Sequence, residues 1–303
     1  MKFVYKYQTV DLNGQYTWAH KSFNTQKELF KYLVEEQDEV LAQKKSIVKR
    51  AQGGLSITLP VEPLAEFATK AIKPIYENDK EAGILKRTIV ANTYWWMDSH
   101  SDVHLGKGDD ENGRAVFTNT IKNRANKIFP TNQHDQSLDG KIGKTLAIYE
   151  AAISWRALGV GKTGMTEGLF ADAQIEKERN ERRYKDYLNN EIDQHSVAMR
   201  YLDIQTAVND EDYPKEFALY QKYIAKVGNR QTVERQGFFF PVAEGYLAEY
   251  SAVRDGSNEL TPTLGQPSGD TGKEEPSGDT RNKQLLEGID KLLFNIKLEQ
   301  QFK

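Results

Sequence analysis

The chain has 303 residues, a formal net charge of −3 and no cysteine. Without cysteine it has no disulfide, no thiolate nucleophile and no zinc–thiolate centre. Acidic and basic residues nearly balance, so the charge does not predict binding to nucleic acid or to an anionic membrane surface. No segment approaches the ~20 apolar residues that a membrane-spanning helix needs. These properties favour a chain with neither nucleic acid nor membrane among its partners.

The first 86 residues predict a small α+β extension. Asn13-Gly14 separates two alternating segments, a pattern typical of a β-hairpin within residues 1–20. Thr25 with Glu28 three positions later predicts a helix N-terminus with a capping box. A strand is expected at 55–59 and a short helix at 62–76. No group of chemically reactive residues stands out in this part.

From residue 87 the sequence is typical of a larger domain that extends to residue 255. Segments rich in β-branched and aromatic residues predict strands, and the first is RTIVANTYWWM. Helices are expected between them, including a charged helix at 176–190 and an amphipathic helix at 214–227. The alternating segment 196–208 predicts a strand. The pattern therefore favours an α+β fold with flanking helices.

The C-terminal part predicts a linker at 256–284 and a separate helix at 285–303. The linker is rich in Gly, Pro, Ser and Asp and contains PSGDT twice. Such a composition cannot bury enough apolar surface to order itself. Leu285, Ile289, Leu292 and Ile296 then recur at helical spacing. This helix either packs on its own domain or binds a partner.

Nucleophilic catalysis in this chain would need Ser, Thr, Lys or a carboxylate, because no thiol is present, and a serine would need a neighbouring base. Histidine suits the role of base since its pKa lies near neutral pH. Only five histidines occur. His134 lies in the polar segment PTNQHDQ, and Ser196 lies in DQHSVAM, where a helix gives way to a strand. This pair is the main candidate for catalysis.

Five segments between about residues 87 and 263 follow one another in an order similar to that of a known family. They are IVANTYWWMDSHSDVHL, the AVFTNTIKN helix leading to NQHDQSLDGKIGK, GLFADAQI, EIDQHSVAMRY and LAEYSAVRDGSNELTPT. In this order they resemble the prohead maturation serine proteases of tailed phages, which are related to the herpesvirus assemblins. The resemblance implies a compact β-barrel-like protease core with flanking helices.

The resemblance also implies roles for individual residues and partners. Ser196 is expected to be the nucleophile, His134 the general base and Glu249 the residue that orients the base. Glu244 is the alternative to Glu249, and Arg200 could contribute to the oxyanion site. No cofactor is expected. The implied substrates are the scaffold or delta segment of the phage capsid protein and the protease itself. Self-association is therefore possible. The implied location is the inside of the assembling prohead, in the host cytoplasm.

Two other interpretations stay open at this stage. Asp98, His100, Asp102 and His104 form a dense cluster of residue types that bind divalent cations, as in a metallohydrolase. The second interpretation is a capsid-assembly or scaffold protein without catalytic activity. The segment GVGKTG (159–164) is similar to a phosphate-binding loop, but Arg156 stands where the first glycine of that motif is required, so we expect a glycine-rich turn between strands there.

Overall fold

The computed structural model describes residues 16–18, 21–46, 72–107 and 113–265. The chain divides into two units, residues 1–267 and 268–303, and every described residue belongs to the first. That unit mixes helices and strands, which confirms the predicted α+β class. None of its described helices combines the length and the apolar character needed to cross a membrane.

The described residues form twelve strands and six α-helices. The strands are β1 (Tyr16–Trp18), β2 (Lys21–Phe23), β3 (Tyr76–Asp79), β4 (Ile84–Thr93), β5 (Asp102–His104), β6 (Pro130–Asn132), β7 (Gly143–Ser154), β8 (Met165–Glu176), β9 (His195–Ile204), β10 (Ala207–Val208), β11 (Phe238–Ala252) and β12 (Thr263–Leu264). The helices are α1 (Gln26–Glu35), α2 (Gln37–Ser46), α3 (Thr118–Arg124), α4 (Glu181–Leu188), α5 (Pro214–Ile224) and α6 (Arg230–Gln236).

The long strand β11 is the centre of the sheet that carries the candidate site. It pairs antiparallel with β9 along most of its length and with β10 at its start. On its other side it pairs parallel with β5 near one end and with β6 near the other. The aromatic run Phe238, Phe239 and Phe240 at the start of β11 is fully buried, so burial of these rings anchors the central strand in the core.

A second sheet has the order β12-β4-β8-β7, with β3 paired to the outer part of β4. Strand β4 is buried along almost its entire length, which explains its nearly continuous β-branched and aromatic sequence. Gly143 in β7 has no room for a side chain, because a Cβ atom there would lie 1.8 Å from the carbonyl oxygen of Gln174 on the partner strand.

The described strands form separate sheets, and none of these sheets closes on itself. A closed barrel is therefore not found within the described residues. The sequence-predicted strands of the core are present, and the GVGKTG segment is a turn region before β8, as expected.

Both helices of the N-terminal extension contact the core. Helix α1 begins after Thr25, whose hydroxyl accepts a hydrogen bond from the Glu28 amide at 3.1 Å, and the Glu28 carboxylate accepts from the Asn24 amide at 2.9 Å. This is the predicted capping box. In α2, Lys44 is 3% exposed and its ammonium lies 2.8 Å from Asp102 Oδ1 in the core. The extension is thus joined to the core by a buried ion pair.

The core domain extends beyond residues 87 and 255, the two boundaries expected from the sequence. Residue 86 lies inside β4, so a division there would cut a strand. At the other end, Asn258 and Thr261 are buried, although the linker was expected to begin at residue 256. Asn258 donates to the Thr93 carbonyl at 2.7 Å, and Thr261 donates to the His195 carbonyl at 2.7 Å. These polar residues are structural because they satisfy buried backbone groups.

Several other expectations concern residues outside the described ranges. They are the Asn13-Gly14 turn, the strand at 55–59, most of the helix at 62–76, the remainder of the linker and the helix at 285–303. Strands β1 and β2 pair with each other immediately after the expected turn.

Candidate active site

Strand β11 brings residues from two distant parts of the chain to one face of its sheet. Ser251 is paired with Thr131 of β6 on one side and with Ser196 of β9 on the other. Directly paired residues project to the same face of a sheet, and so do residues two apart on one strand. Thr131, Ser251 and Ser196 therefore form a row, and Glu249 lies beside that row on the same face.

His134 reaches this row from a tight turn at the end of β6. The Gln133 amide donates to the Ala252 carbonyl at 3.0 Å, which continues the pairing with β11 for one more residue. Gln133 and His134 then adopt φ values of 50° and 58°, and the Asp135 amide donates to the Asn132 carbonyl at 2.9 Å. Two consecutive left-handed residues are typical of a type I′ turn. Neither is glycine, so the position of His134 is held at a cost in backbone strain.

The turn is fastened at both ends. The backbone amide of His134 donates to Ser251 Oγ at 2.8 Å. The loop closes where the Asn132 amide donates to the Gly140 carbonyl at 2.9 Å. At Gly140 a Cβ atom would lie 2.0 Å from the Asp135 carbonyl oxygen, so the loop can close this tightly only with glycine.

Glu249 holds the imidazole of His134 through a short hydrogen bond. His134 Nδ1 lies 2.6 Å from Glu249 Oε1. The second carboxylate oxygen, Oε2, accepts hydrogen bonds from Thr131 at 2.5 Å and from Ser251 at 2.9 Å. An ionised carboxylate can only accept, so the proton of this pair is on Nδ1. The neutral ring then carries a lone pair on Nε2, as a general base requires.

His134 Nε2 is buried, and among the described residues it has no hydrogen-bond partner. Ser196, the candidate nucleophile, is 3% exposed, and His134 and Glu249 are 5% and 4% exposed. No hydrogen bond joins Ser196 Oγ to His134 Nε2 in this structure. Because these atoms are nearly enclosed, a peptide can reach them only if neighbouring residues move.

Of the two candidates for the acidic partner, Glu249 is the one that contacts His134. Glu244 is half-buried and accepts a hydrogen bond from the Asn119 side chain at 2.8 Å. It lies five residues earlier on β11, beyond two of the register shifts of the β9–β11 pairing. The structure thus brings the imidazole and the carboxylate into contact, and Ser196 lies on the same face of the sheet as Glu249.

His195, the neighbour of Ser196, projects to the opposite face and has a structural role. It is fully buried, and its ring nitrogens contact the Tyr187 hydroxyl at 2.9 Å and the Thr261 carbonyl at 2.7 Å. Burial lowers its pKa to about 4, because desolvation penalises the charged ring. The ring therefore stays neutral at physiological pH.

Arg200 is placed too far along β9 to serve an oxyanion at Ser196. The two residues are four positions apart on β9, which corresponds to about 13 Å along a strand. The Arg200 guanidinium packs on the ring of Tyr246, with its central carbon 5.1 Å from the ring centre. The expected contribution of Arg200 to the oxyanion site is therefore not supported by its position.

The cluster at 98–104 lies apart from this row, and three of its four members come together. Asp98, Asp102 and His104 each offer a ligand atom, and these atoms lie within 4.8 Å of one another. His100 does not join them. The Lys44 ammonium is bound to Asp102, and the Tyr201 hydroxyl also donates to it. A divalent cation here would have to compete with the buried charge of Lys44.

Thr131 and Ser251 are members of the site that the sequence interpretation did not identify. Ser251 could have been found, because on a strand it shares a face with Glu249 two residues before it. Thr131 had no such signal, since its contact depends on the pairing of β6 with β11. Comparisons of the chain with protein-family models, with curated proteins and with solved structures find no match.

Proposed function

We propose that this protein is a serine endopeptidase in which Ser196 is the nucleophile, His134 the general base and Glu249 the residue that orients the base. The observation that carries the proposal is the pairing of His134 Nδ1 with Glu249 at 2.6 Å, while the buried Nε2 has no hydrogen-bond partner among the residues that the structure describes. A buried ring nitrogen without a hydrogen bond is costly for stability alone, so a catalytic role explains it better.

The proposed reaction is acyl transfer. His134 Nε2 takes the proton of Ser196 as Oγ attacks the carbonyl carbon of the scissile bond. The imidazolium that forms is stabilised by the ionised Glu249, and it then gives the proton to the departing amine. Water then attacks the acyl-enzyme carbonyl as His134 takes one of its protons, and His134 returns this proton to Ser196 Oγ as the ester bond breaks and the carboxylic acid product leaves. Backbone amides near Ser196 would bind the oxyanion.

The proposed biological role is the maturation of phage proheads. Its support is the order of the five segments that resemble the prohead protease family, with Ser196, His134 and Glu249 at the matching positions. The substrates would be the scaffold or delta segment of the capsid protein and the protease itself, inside the assembling prohead. A barrel-like closure of the protease core, which the family implies, also belongs to this proposal.

The proposal is tested by incubating the purified full-length protein with a tailed-phage capsid-protein precursor that carries its scaffold or delta segment. We expect discrete cleavage products from the wild type and from Ser22→Ala, a control at an exposed serine on β2. Ser196→Ala should lower the rate by several orders of magnitude. Loss of cleavage on addition of a chelator would favour the 98–104 cluster instead. Binding of the precursor without any cleavage would favour a scaffold protein.

A further inference from the structure

Two arginines pack against one tyrosine on the face of the sheet that carries Ser196. Ser196, Ala198 and Arg200 alternate on β9 and so project to that face, and Tyr246 is paired with Arg200 across the strands. The Arg200 guanidinium carbon lies 5.1 Å from the Tyr246 ring centre, and that of Arg124, at the end of α3, lies 4.5 Å from it.

These two guanidinium groups carry positive charge that no described carboxylate neutralises through an ion pair. Neither forms an ion pair with a carboxylate in the part of the chain that the structure describes, whereas Arg183 and Arg230 do. Arg124 Nε is buried and has no hydrogen-bond partner among those residues. Arg200 is exposed to solvent. A planar guanidinium fixed on an aromatic ring is preorganised to bind a carboxylate through two parallel hydrogen bonds.

We infer that Arg124, Arg200 and Tyr246 form a subsite that binds an acidic side chain of the peptide substrate. This inference rests on the proposed protease function. Arg200 lies four positions from Ser196 on β9. An extended peptide advances about 3.3 Å per residue, as the strand does. The acidic residue would therefore stand about four positions from the scissile bond, and the subsite would select substrates with Glu or Asp there.

The first experiment profiles cleavage specificity with a peptide library of random sequence, analysed by mass spectrometry. We expect Glu and Asp to be enriched about four positions from the cleaved bond, on one side of it. In the double variant Arg124→Gln/Arg200→Gln this enrichment should disappear, with kcat/KM for acidic peptides falling about tenfold or more relative to kcat/KM for neutral peptides. Arg254→Gln is the matched control, because its side chain is 91% exposed and lies after β11. Cleavage without this enrichment, or enrichment that survives in the double variant, would overturn the subsite and leave the protease function standing.

A second experiment does not depend on cleavage. In the Ser196→Ala protein labelled with ¹⁵N-arginine, the Nε–H signals of Arg124 and Arg200 are assigned by their loss in lysine variants. We expect these signals to shift on titration with N-acetylglutamate amide and to stay in place with N-acetylglutamine amide, while the Arg254 signal responds to neither. If the wild type cleaves nothing, the proposed function fails, and this titration still decides whether the site binds a carboxylate. Equal shifts with both probes, or none, would contradict the subsite.

Discussion

Glu249 is the residue on which the geometry of the candidate site depends. Its carboxylate accepts hydrogen bonds from His134 Nδ1, Thr131 and Ser251, so all three donors converge on one buried side chain. A glutamine in its place would keep the size of the side chain, but its amide NH2 group would donate hydrogen bonds where a carboxylate oxygen now accepts them. The imidazole would then be free to adopt the other tautomer, with the proton on Nε2.

We therefore expect Glu249→Gln to slow peptide cleavage by about 10³- to 10⁴-fold, the effect of a wrong tautomer in an analogous triad. The nucleophile and the oxyanion donors are left in place, so the loss should be smaller than for Ser196→Ala. Glu244→Gln is the matched control, because Glu244 contacts Asn119 and not His134. The measurement is kcat/KM with one peptide substrate for all variants. An inactive Glu244→Gln beside a fully active Glu249→Gln would contradict the assignment.

The burial of His195 predicts how the free energy of unfolding depends on pH. Its pKa is about 4 in the folded protein because of burial, against 6.5 for an unperturbed histidine. Above pH 6.5 neither state binds the proton, so the contribution of the neutral ring is complete. Below pH 6.5 only the unfolded chain binds it, and the free energy of unfolding falls until the pH reaches about 4. The loss from this residue is about 3 kcal/mol.

The measurement is urea unfolding at pH 7.5 and at pH 4.5 for the wild type and for His195→Asn, whose amide can still donate to the Thr261 carbonyl. The variant is expected to be less stable at pH 7.5 and to lose less stability on acidification than the wild type. Identical pH dependence in the two proteins would show that His195 does not titrate as its burial implies.

The three principal site residues were proposed from the sequence because each lies in a segment that resembles one of a known family, and their catalytic roles stay a proposal. Their partners could not be chosen in this way. Thr131 meets Glu249 across 118 positions of sequence, through a parallel pairing that no local pattern indicates. The left-handed conformation of Gln133 and His134 could not be predicted either, because neither residue is glycine or asparagine, the usual signals of such a turn.

At the scale of elements, helix α2 shows how the N-terminal extension is held. Lys44 places its ammonium 2.8 Å from Asp102, over the ring of Phe240 at 4.3 Å. Replacing it with methionine would keep the apolar stem and leave the Asp102 carboxylate without its buried cation. We expect Lys44→Met to lower the free energy of unfolding by about 3 kcal/mol or more.

Lys45→Met is the control, because Lys45 is exposed in the same turn of the helix, and it should change stability by less than about 0.5 kcal/mol. The double variant Lys44→Met/Asp102→Asn should recover part of the loss, since it removes the uncompensated charge. Denaturant unfolding of the wild type and of the three variants provides the comparison. Equal stability of Lys44→Met and Lys45→Met would mean that the ion pair does not join the extension to the core.

Elements with a strong local pattern were predicted well, and the errors lie where pairing overrides local preference. The capping box at Thr25 and the apolar strand β4 are examples of success. The charged segment 176–190 was expected to be one helix, but α4 is confined to Glu181–Leu188. Glu176 ends β8 opposite Ile84, and its carboxylate binds Arg179 and Lys144. At the start of this segment, strand pairing therefore outweighs the helix propensity of the residues.

At the scale of the whole molecule, the fold class followed from the sequence and the arrangement of its sheets did not. The central position of β11 depends on parallel pairings with β5 and β6, which lie more than 100 residues earlier in the chain. This arrangement places β6, which leads into the turn with His134, and the start of β9, which carries Ser196, on opposite sides of β11. The same packing extends to Thr263 and Leu264, which pair with β4.

The central claim is that Ser196 is a nucleophile activated by His134, and covalent labelling tests it most directly. The intact protein is treated with a small fluorophosphonate, and the modified residue is identified by peptide mass spectrometry. The account predicts one adduct, on Ser196, that is lost in Ser196→Ala and strongly reduced in His134→Ala. A folded wild-type protein that gains no adduct at Ser196, or one whose labelling is unchanged in His134→Ala, would contradict it.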